Sequence, residues 1–109
     1  MRLSAQALPV CVFVGVFMST LTAQADGDVV AGEKLAWQVC ARCHNVERSG
    51  PSKQYPPSFA SIAVFRSPEQ IRGKIIFPPL HSSMPQLGTY FTPDNVNDLV
   101  AYITSLENQ

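Results

Sequence analysis

Five consecutive residues, Cys40-Ala41-Arg42-Cys43-His44, bring two thiols and an imidazole together within about one turn of chain. C-x-x-C-H is the pattern by which c-type haem is attached to protein. Each thiol can add to a vinyl group of haem to form a thioether, and the two-residue spacing suits neighbouring vinyls. His44 directly follows the second cysteine, so the chain between them is too short for its imidazole to point away from the iron. The motif predicts Cys40 and Cys43 as covalent haem anchors and His44 as an axial ligand.

The same cysteine pair has other known chemistries. A thioredoxin-like redox pair is expected in a βαβ context, which is not visible here. Zinc needs about four ligands, and outside the motif the chain has only Cys11 and His81 as further Cys or His residues. A zinc site that uses His81 and a disulfide between Cys40 and Cys43 stay open as alternatives.

The first 25 residues have the pattern of a secretory signal peptide. Arg2 supplies a short positive region, residues 8–18 are mainly apolar, and Ala23-Gln24-Ala25 supplies small residues for cleavage. We expect cleavage before Asp26 and export of the mature chain. An uncleaved membrane anchor is the alternative, but the apolar stretch is short for a span of about 20 residues.

The mature chain, residues 26–109, is predicted to be one small domain with one haem. Removing 25 residues from 109 leaves 84, and a chain of that length builds only a marginal core by itself. A covalently held haem would supply the missing apolar mass. We therefore expect a poorly folded protein before attachment.

Met84 is the candidate for the second iron ligand. It is the only methionine of the mature chain, and Pro85 follows it directly and stiffens its loop. A thioether is a soft ligand, and Met/His ligation raises the reduction potential of haem. His81 is the rival ligand and would lower that potential. Ordinary packing of Met84 is the other alternative.

Two helices are predicted at the ends of the mature chain. The first runs into the C-x-x-C-H motif and has Asp28 as its N-cap. The last begins after the N-cap Thr92, with Pro93 in the first helical position. Its apolar stripe comprises Val96, Leu99, Val100, Ile103 and Leu106.

A third helix is predicted between these two, from Pro68 to Ile76, with Ser67 as N-cap and Gln70 completing a capping box. A short helical turn is expected over residues 58–64. No alternating strand pattern persists along the chain. The sequence therefore predicts an all-α fold of three to four short helices and Pro-rich loops around one haem.

Over almost its whole length the mature chain resembles small bacterial class I cytochromes c. The matching segments are Gly27 to Gly32, the C-x-x-C-H motif, Gly50-Pro51, Met84-Pro85 and Asp98 to Ile103. The resemblance implies the fold of that family, in which the first and last helices cross near a small residue and an aromatic. Gly32 and Tyr102 match those two positions.

The resemblance also implies further groups around the haem. A proline carbonyl orients the haem histidine in that family, and Pro51 is the matching candidate. The segment between His44 and Met84 is short, so the residues that hold the haem propionates have no direct match. Tyr55 is the first candidate for that role. Further candidates are Trp37, Arg66 and Tyr90.

The function implied by the resemblance is that of a periplasmic one-electron carrier in a respiratory or dehydrogenase chain. With both axial positions filled, no site is open for a substrate, so we expect an electron-transfer protein and not an enzyme. We expect a monomer that docks transiently on redox proteins, without stable membrane insertion or nucleic-acid binding. The alternatives are a cytochrome subunit permanently attached to a periplasmic oxidoreductase, or a gas-binding haem sensor with a labile Met84.

The charges of the mature chain are unevenly distributed. Seven basic and eight acidic residues give it a net charge of −1. Residues 41–75 carry six basic and two acidic residues, whereas residues 76–109 carry three acidic residues and no Lys or Arg. We expect a basic patch near the haem crevice that docks on an acidic partner surface at a salt-sensitive rate. A solvated surface without a steering role is the alternative.

Overall fold

The structure, a computed structural model, describes residues 27–50, 55–80 and 82–107. The predicted leader at residues 1–25, Pro51 and His81 lie outside the described residues. Within those ranges the chain forms four α-helices and no strand, which confirms the all-α prediction. The helices are α1 (Val29–Leu35), α2 (Phe59–Phe65), α3 (Pro68–Ile76) and α4 (Pro93–Ser105). A π-helical segment (Ala36–Cys40) continues α1, and a 3₁₀ turn (Leu87–Thr89) precedes α4.

Helix α1 begins where its N-cap was predicted. The carboxylate of Asp28 accepts hydrogen bonds from the backbone N–H groups of Val30, at 2.8 Å, and Ala31, at 3.1 Å. The backbone N–H of Asp28 itself donates to Asp98 Oδ1 on α4, at 2.7 Å. One carboxylate thus caps α1, and a second fixes the start of α1 to α4.

Helices α3 and α4 both begin with the predicted caps. The Ser67 hydroxyl accepts from the Gln70 N–H while the Gln70 side chain accepts from the Ser67 N–H. Thr92 and Asn95 form the same reciprocal pair at the start of α4. The short helix predicted over residues 58–64 is α2, which follows the cap Ser58 and extends to Phe65. Local side-chain chemistry is sufficient to place these starts.

The core lies between α4 and the other helices. Helix α4 buries Val96, Leu99, Val100, Tyr102 and Ile103, whereas α3 contributes Ile71 and Ile75 to the same apolar cluster. In the part of the chain that the structure describes, no helix has both the length and the apolar character needed to cross a bilayer.

Helices α1 and α4 approach each other so closely at Gly32 that no side chain fits between them. A Cβ atom at this position would lie 2.0 Å from the carbonyl oxygen of Asp98 and 2.9 Å from the Cβ of Tyr102. Glycine is the residue that permits backbones to approach this closely. The crossing of the first and last helices at Gly32 and Tyr102 therefore agrees with the resemblance.

Substitution of Gly32 by alanine should destabilise the haem-loaded protein by about 1–3 kcal/mol, because the added methyl group would overpack the α1–α4 contact. Gly73→Ala is the matched control, since nothing lies within 4 Å of a Cβ on that helical glycine. The control should stabilise the protein by up to about 1 kcal/mol through helix propensity alone. Guanidinium unfolding monitored by far-UV circular dichroism measures both changes. Equal effects of the two substitutions would contradict the close crossing.

Candidate cofactor site

The C-x-x-C-H motif follows a change of helix type that the sequence did not reveal. We expected a regular helix running into the motif, but α1 ends at Leu35 and the next five residues are π-helical. The Ala41 N–H donates to the Ala36 carbonyl at 3.0 Å, five residues back. The His44 N–H then donates to the Cys40 carbonyl at 2.9 Å and closes the motif into a turn. The wider π turn rotates the motif relative to α1, and such turns are frequent at functional sites.

The two cysteines are free thiols that differ in exposure. Cys40 is partly buried and Cys43 is exposed. Burial raises the pKa of the Cys40 thiol to about 11, so this thiol is protonated at neutral pH. A thioredoxin-like redox pair needs a lowered cysteine pKa, so the raised pKa of Cys40 argues against that alternative. Nor does the structure contain the disulfide considered above.

The imidazole of His44 is held by a backbone carbonyl. Its Nδ1 lies 2.7 Å from the carbonyl oxygen of Pro57. A carbonyl can only accept, so Nδ1 carries the proton and Nε2 keeps a free lone pair. This arrangement is typical of metal-binding histidines, in which a hydrogen bond from the other ring nitrogen fixes the orientation and raises the basicity of the ligand. His44 is therefore prepared to bind a metal through Nε2.

The carbonyl that pairs with His44 comes from a different proline than the predicted Pro51. The oxygen that pairs with His44 belongs to Pro57, thirteen residues along the chain, whereas Pro51 lies outside the described residues. The reason is a backbone contact between distant segments. The Phe59 N–H donates to the Asn45 carbonyl at 2.9 Å, which places the residues before α2 beside His44.

Aromatic packing connects His44 to the core. The ring of Phe59, buried at the start of α2, lies 5.5 Å from that of His44 and 6.4 Å from that of Tyr102, centroid to centroid. The Tyr102 hydroxyl donates to the Val46 carbonyl at 2.7 Å. Burial raises the pKa of Tyr102, and the charge of Glu33 adds to this effect, so the donor stays protonated. Helix α4 thereby fixes the chain on the C-terminal side of the motif.

Met84 lies in the loop between α3 and the 3₁₀ turn, and its side chain is partly buried. The loop is held by backbone hydrogen bonds from Ser82 to Pro79 and from Leu87 to Pro85, both 2.9 Å long. At its end, Gly88 packs so closely on α3 that a Cβ would lie 2.5 Å from the Ile76 carbonyl oxygen. The loop therefore presents Met84 from a short, fixed segment, and the ligand role of Met84 remains a prediction.

The chemistry of the described residues fits a haem. The motif supplies two free thiols and a histidine with an available Nε2, which is the donor set that a c-type haem needs. Several large apolar or aromatic side chains are also exposed on the described surface. Those more than 70% exposed are Val30, Tyr55, Phe65, Phe77, Leu80 and Tyr90. The role of Tyr55 toward a propionate remains a prediction.

Two basic residues share a shallow pocket of about 230 Å³ on the outer side of α3. Arg66, at the end of α2, and Lys74 line it together with Gln70, Gly73 and Phe77. Arg66 was among the candidates of the sequence analysis, whereas Lys74 was not singled out. The neighbouring Arg72 points elsewhere, because its guanidinium donates to the side chain of Asn97 on α4. Arg72 therefore faces α4, whereas Arg66 and Lys74 line the pocket.

The zinc alternative finds no support in the described ranges. No three His, Cys, Asp or Glu side chains are grouped there as a metal site. His81, which that alternative requires, lies outside these ranges.

Replacing Tyr102 by phenylalanine should lower the free energy of unfolding of the haem-loaded protein by about 1–3 kcal/mol. The substitution keeps the ring but leaves the buried Val46 carbonyl without its donor. Ser49→Ala is the control, because it removes an exposed hydroxyl. Guanidinium titrations of the two variants give the comparison, and equal stabilities would show that the Tyr102 hydrogen bond contributes little.

Comparison with known families gives one match. The family model described as cytochrome c oxidase, cbb3-type, subunit III matches residues 27–103. The matched range covers more than two thirds of the chain and includes the thiol pair, His44 and Met84. Neither a curated protein nor a solved structure matches the chain significantly.

Proposed function

Because this chain belongs to the family of cytochrome c oxidase, cbb3-type, subunit III, which is a c-type cytochrome domain, we propose that it is a periplasmic one-electron carrier. The observation that carries the proposal is the hydrogen bond from His44 Nδ1 to the Pro57 carbonyl. It leaves Nε2 available on the residue that directly follows the second thiol. A fixed imidazole next to a C-x-x-C pair is the arrangement that a covalently attached haem requires.

Four side chains hold the cofactor in this proposal. Cys40 and Cys43 would bind it through thioethers, and His44 and Met84 would bind its iron through Nε2 and the thioether sulfur. A bound haem would supply a single electron that it gains and loses reversibly. With two protein side chains on the iron, no position would be open for a substrate. The protein would then exchange electrons without chemistry on a bound molecule.

The surrounding residues favour rapid electron exchange. Pro57 fixes the ring of His44, and the buried ring of Phe59 packs against both His44 and Tyr102. A ligand held in one orientation changes little between the two oxidation states, which keeps the reorganisation energy small. A dry, apolar environment disfavours the extra charge of the ferric state and raises the potential.

A second function, a cytochrome subunit permanently bound to an oxidoreductase, is favoured by two observations. The family description refers to a subunit of an oxidase. Several large side chains are also exposed on the described surface, among them Phe65 and Phe77, and such side chains are typical of interaction sites. Co-purification of a second protein in constant stoichiometry would favour this function, whereas a monomer that reacts with soluble partners favours the carrier.

Absorption spectra test whether Met84 is an iron ligand. They are recorded on haem-loaded protein produced in cells that have c-type maturation machinery. The wild type should be low-spin, show the weak sulfur-to-iron charge-transfer band in the ferric state, and not bind carbon monoxide in the ferrous state. Met84→Ala should lose that band, because the thioether ligand is removed. The control His81→Ala should keep it.

Other spectra would point to other functions. A low-spin spectrum without the sulfur band, changed by His81→Ala but not by Met84→Ala, would assign the second ligand to His81. Ready binding of carbon monoxide by the wild type would favour a gas sensor. A protein matured without haem would contradict the proposal as a whole.

The distribution of charge is tested by oxidation of the ferrous protein with ferricyanide at increasing ionic strength. The mature chain has a net charge of −1, which predicts repulsion of this anion and an oxidation rate that rises with added salt. Residues 41–75 have a net charge of +4. If they surround the surface through which the electron leaves, they attract the anion, and the rate falls with added salt. We expect the rate to fall severalfold between low salt and 0.5 M sodium chloride. A rising rate would show that the basic segment lies away from that surface.

A further inference from the structure

The outer side of α3 has a glycine where packing does not require one. Gly73 lies inside the helix, and a Cβ atom there would meet nothing within 4 Å. A glycine inside a helix costs about 1 kcal/mol relative to alanine. Gly32 and Gly88 are explained by backbone that lies close to them, whereas Gly73 faces open space. The missing side chain at position 73 instead keeps a surface open.

This surface belongs to the shallow pocket of about 230 Å³ on the outer side of α3. Arg66, Gln70, Lys74 and Phe77 line the pocket together with Gly73. They recur at intervals of three or four residues, so they lie on one side of the helix. None of them belongs to the C-x-x-C-H motif. The pocket is therefore a feature of α3 and of the turn that leads into it.

Every polar side-chain group that this pocket can offer to a ligand is a hydrogen-bond donor. The guanidinium of Arg66 and the ammonium of Lys74 can only donate. The side-chain oxygen of Gln70 already accepts from the Ser67 N–H at 3.0 Å, which leaves the NH₂ group of Gln70. None of the lining residues is acidic. The pocket therefore suits a negatively charged acceptor, for which charged donors form the stronger hydrogen bonds.

The pocket also has an apolar wall, because Phe77 lines it and is 76% exposed. A shallow pocket encloses little of a small ligand, unlike the clefts that bind small molecules tightly. An acidic side chain on a protein surface can use the same donors and also bring apolar neighbours onto Phe77. The pocket therefore fits a carboxylate that a partner protein presents beside an apolar residue.

An anionic membrane surface fits the pocket less well. Segments that bind anionic lipids have clusters of about four to eight basic residues, whereas Arg66 and Lys74 are the two that line this pocket. The neighbouring Arg72 does not add to them, because its guanidinium donates to Asn97 on α4. The observations therefore favour a protein partner.

We infer that the outer side of α3 is a docking site for an acidic partner protein, in which Arg66 and Lys74 bind a carboxylate beside Gly73. This inference rests on the proposed function, because it supposes a redox partner or an oxidoreductase that holds this chain. It assigns the docking role to two of the six basic residues in the segment 41–75. Gly73 determines specificity, since a long side chain at this position fills the space that the carboxylate needs.

The test is a titration of the haem-loaded ferrous protein, at low salt, with an acetylated hexapeptide of alternating glutamate and phenylalanine. Backbone amide shifts in nuclear magnetic resonance spectra measure binding and should be largest at the residues that line the pocket. Gly73→Gln fills the pocket without changing any charge and should weaken binding about tenfold. Gly73→Ala is the matched control and should bind as the wild type does, because the added methyl group meets no neighbour.

A second pair of variants separates this pocket from a general attraction to positive charge. Lys74→Gln and Arg48→Gln each remove one charge from the basic segment, but only Lys74 lines the pocket. Lys74→Gln should weaken peptide binding about fivefold, the effect of one exposed ion pair. Arg48→Gln should leave peptide binding nearly unchanged. Equal losses in the two variants would overturn the inference.

Measurements on the wild type do not depend on how the variants fold. An intermolecular nuclear Overhauser effect should connect the phenylalanine rings of the peptide to Phe77. Inorganic phosphate that shifts the same amides as strongly as the peptide would overturn the inference in favour of a free-anion site. Sedimentation with phosphatidylglycerol vesicles, without binding of the peptide, would overturn it in favour of a membrane surface. Absorption spectra of the same samples test the haem separately, so failure of the proposed function and failure of the docking site are distinguishable.

Discussion

The contact of α1 with α4 at Gly32 determines where the two sides of the cofactor motif lie. Helix α1 continues through the π-helical segment into Cys40, so its position fixes the N-terminal side of the motif. Helix α4 fixes the other side, because Tyr102 donates to the Val46 carbonyl two residues after His44. A shift of one helix along the other would therefore pull the two ends of the motif apart. The missing side chain at position 32 allows the backbones to meet, and Asp98 locks the start of α1 in that register.

The proposed cofactor site would combine this helical frame with two irregular segments. One carries Pro57, which reaches His44 because Asn45 and Phe59 pair through their backbones. The other carries Met84 and is closed against α3 at Gly88. Irregular backbone is a suitable carrier for these groups, because its carbonyls and side chains are not already used by a repeating hydrogen-bond pattern. In the proposed site the helices would supply rigidity, and the loops would supply contacts to the cofactor.

Prediction from the sequence succeeded where the interacting residues are close along the chain and failed where they are distant. The helix starts at Asp28, Ser67 and Thr92 were predictable, because each cap binds a backbone group only two or three residues away. The motif residues were recognisable because covalent attachment requires a fixed spacing. The pairing of His44 with Pro57 was not predictable, since it depends on a contact between Asn45 and Phe59.

The unequal exposure of Cys40 and Cys43 has a consequence for biosynthesis. In the folded protein Cys43 is exposed to solvent, whereas Cys40 is partly buried. This burial raises the pKa of the Cys40 thiol to about 11. An enzyme that joins both sulfurs to one porphyrin needs access to each of them. If a haem is attached as proposed, the π-helical segment would have to open locally to expose Cys40 during attachment. Attachment would then come before the final packing of this segment.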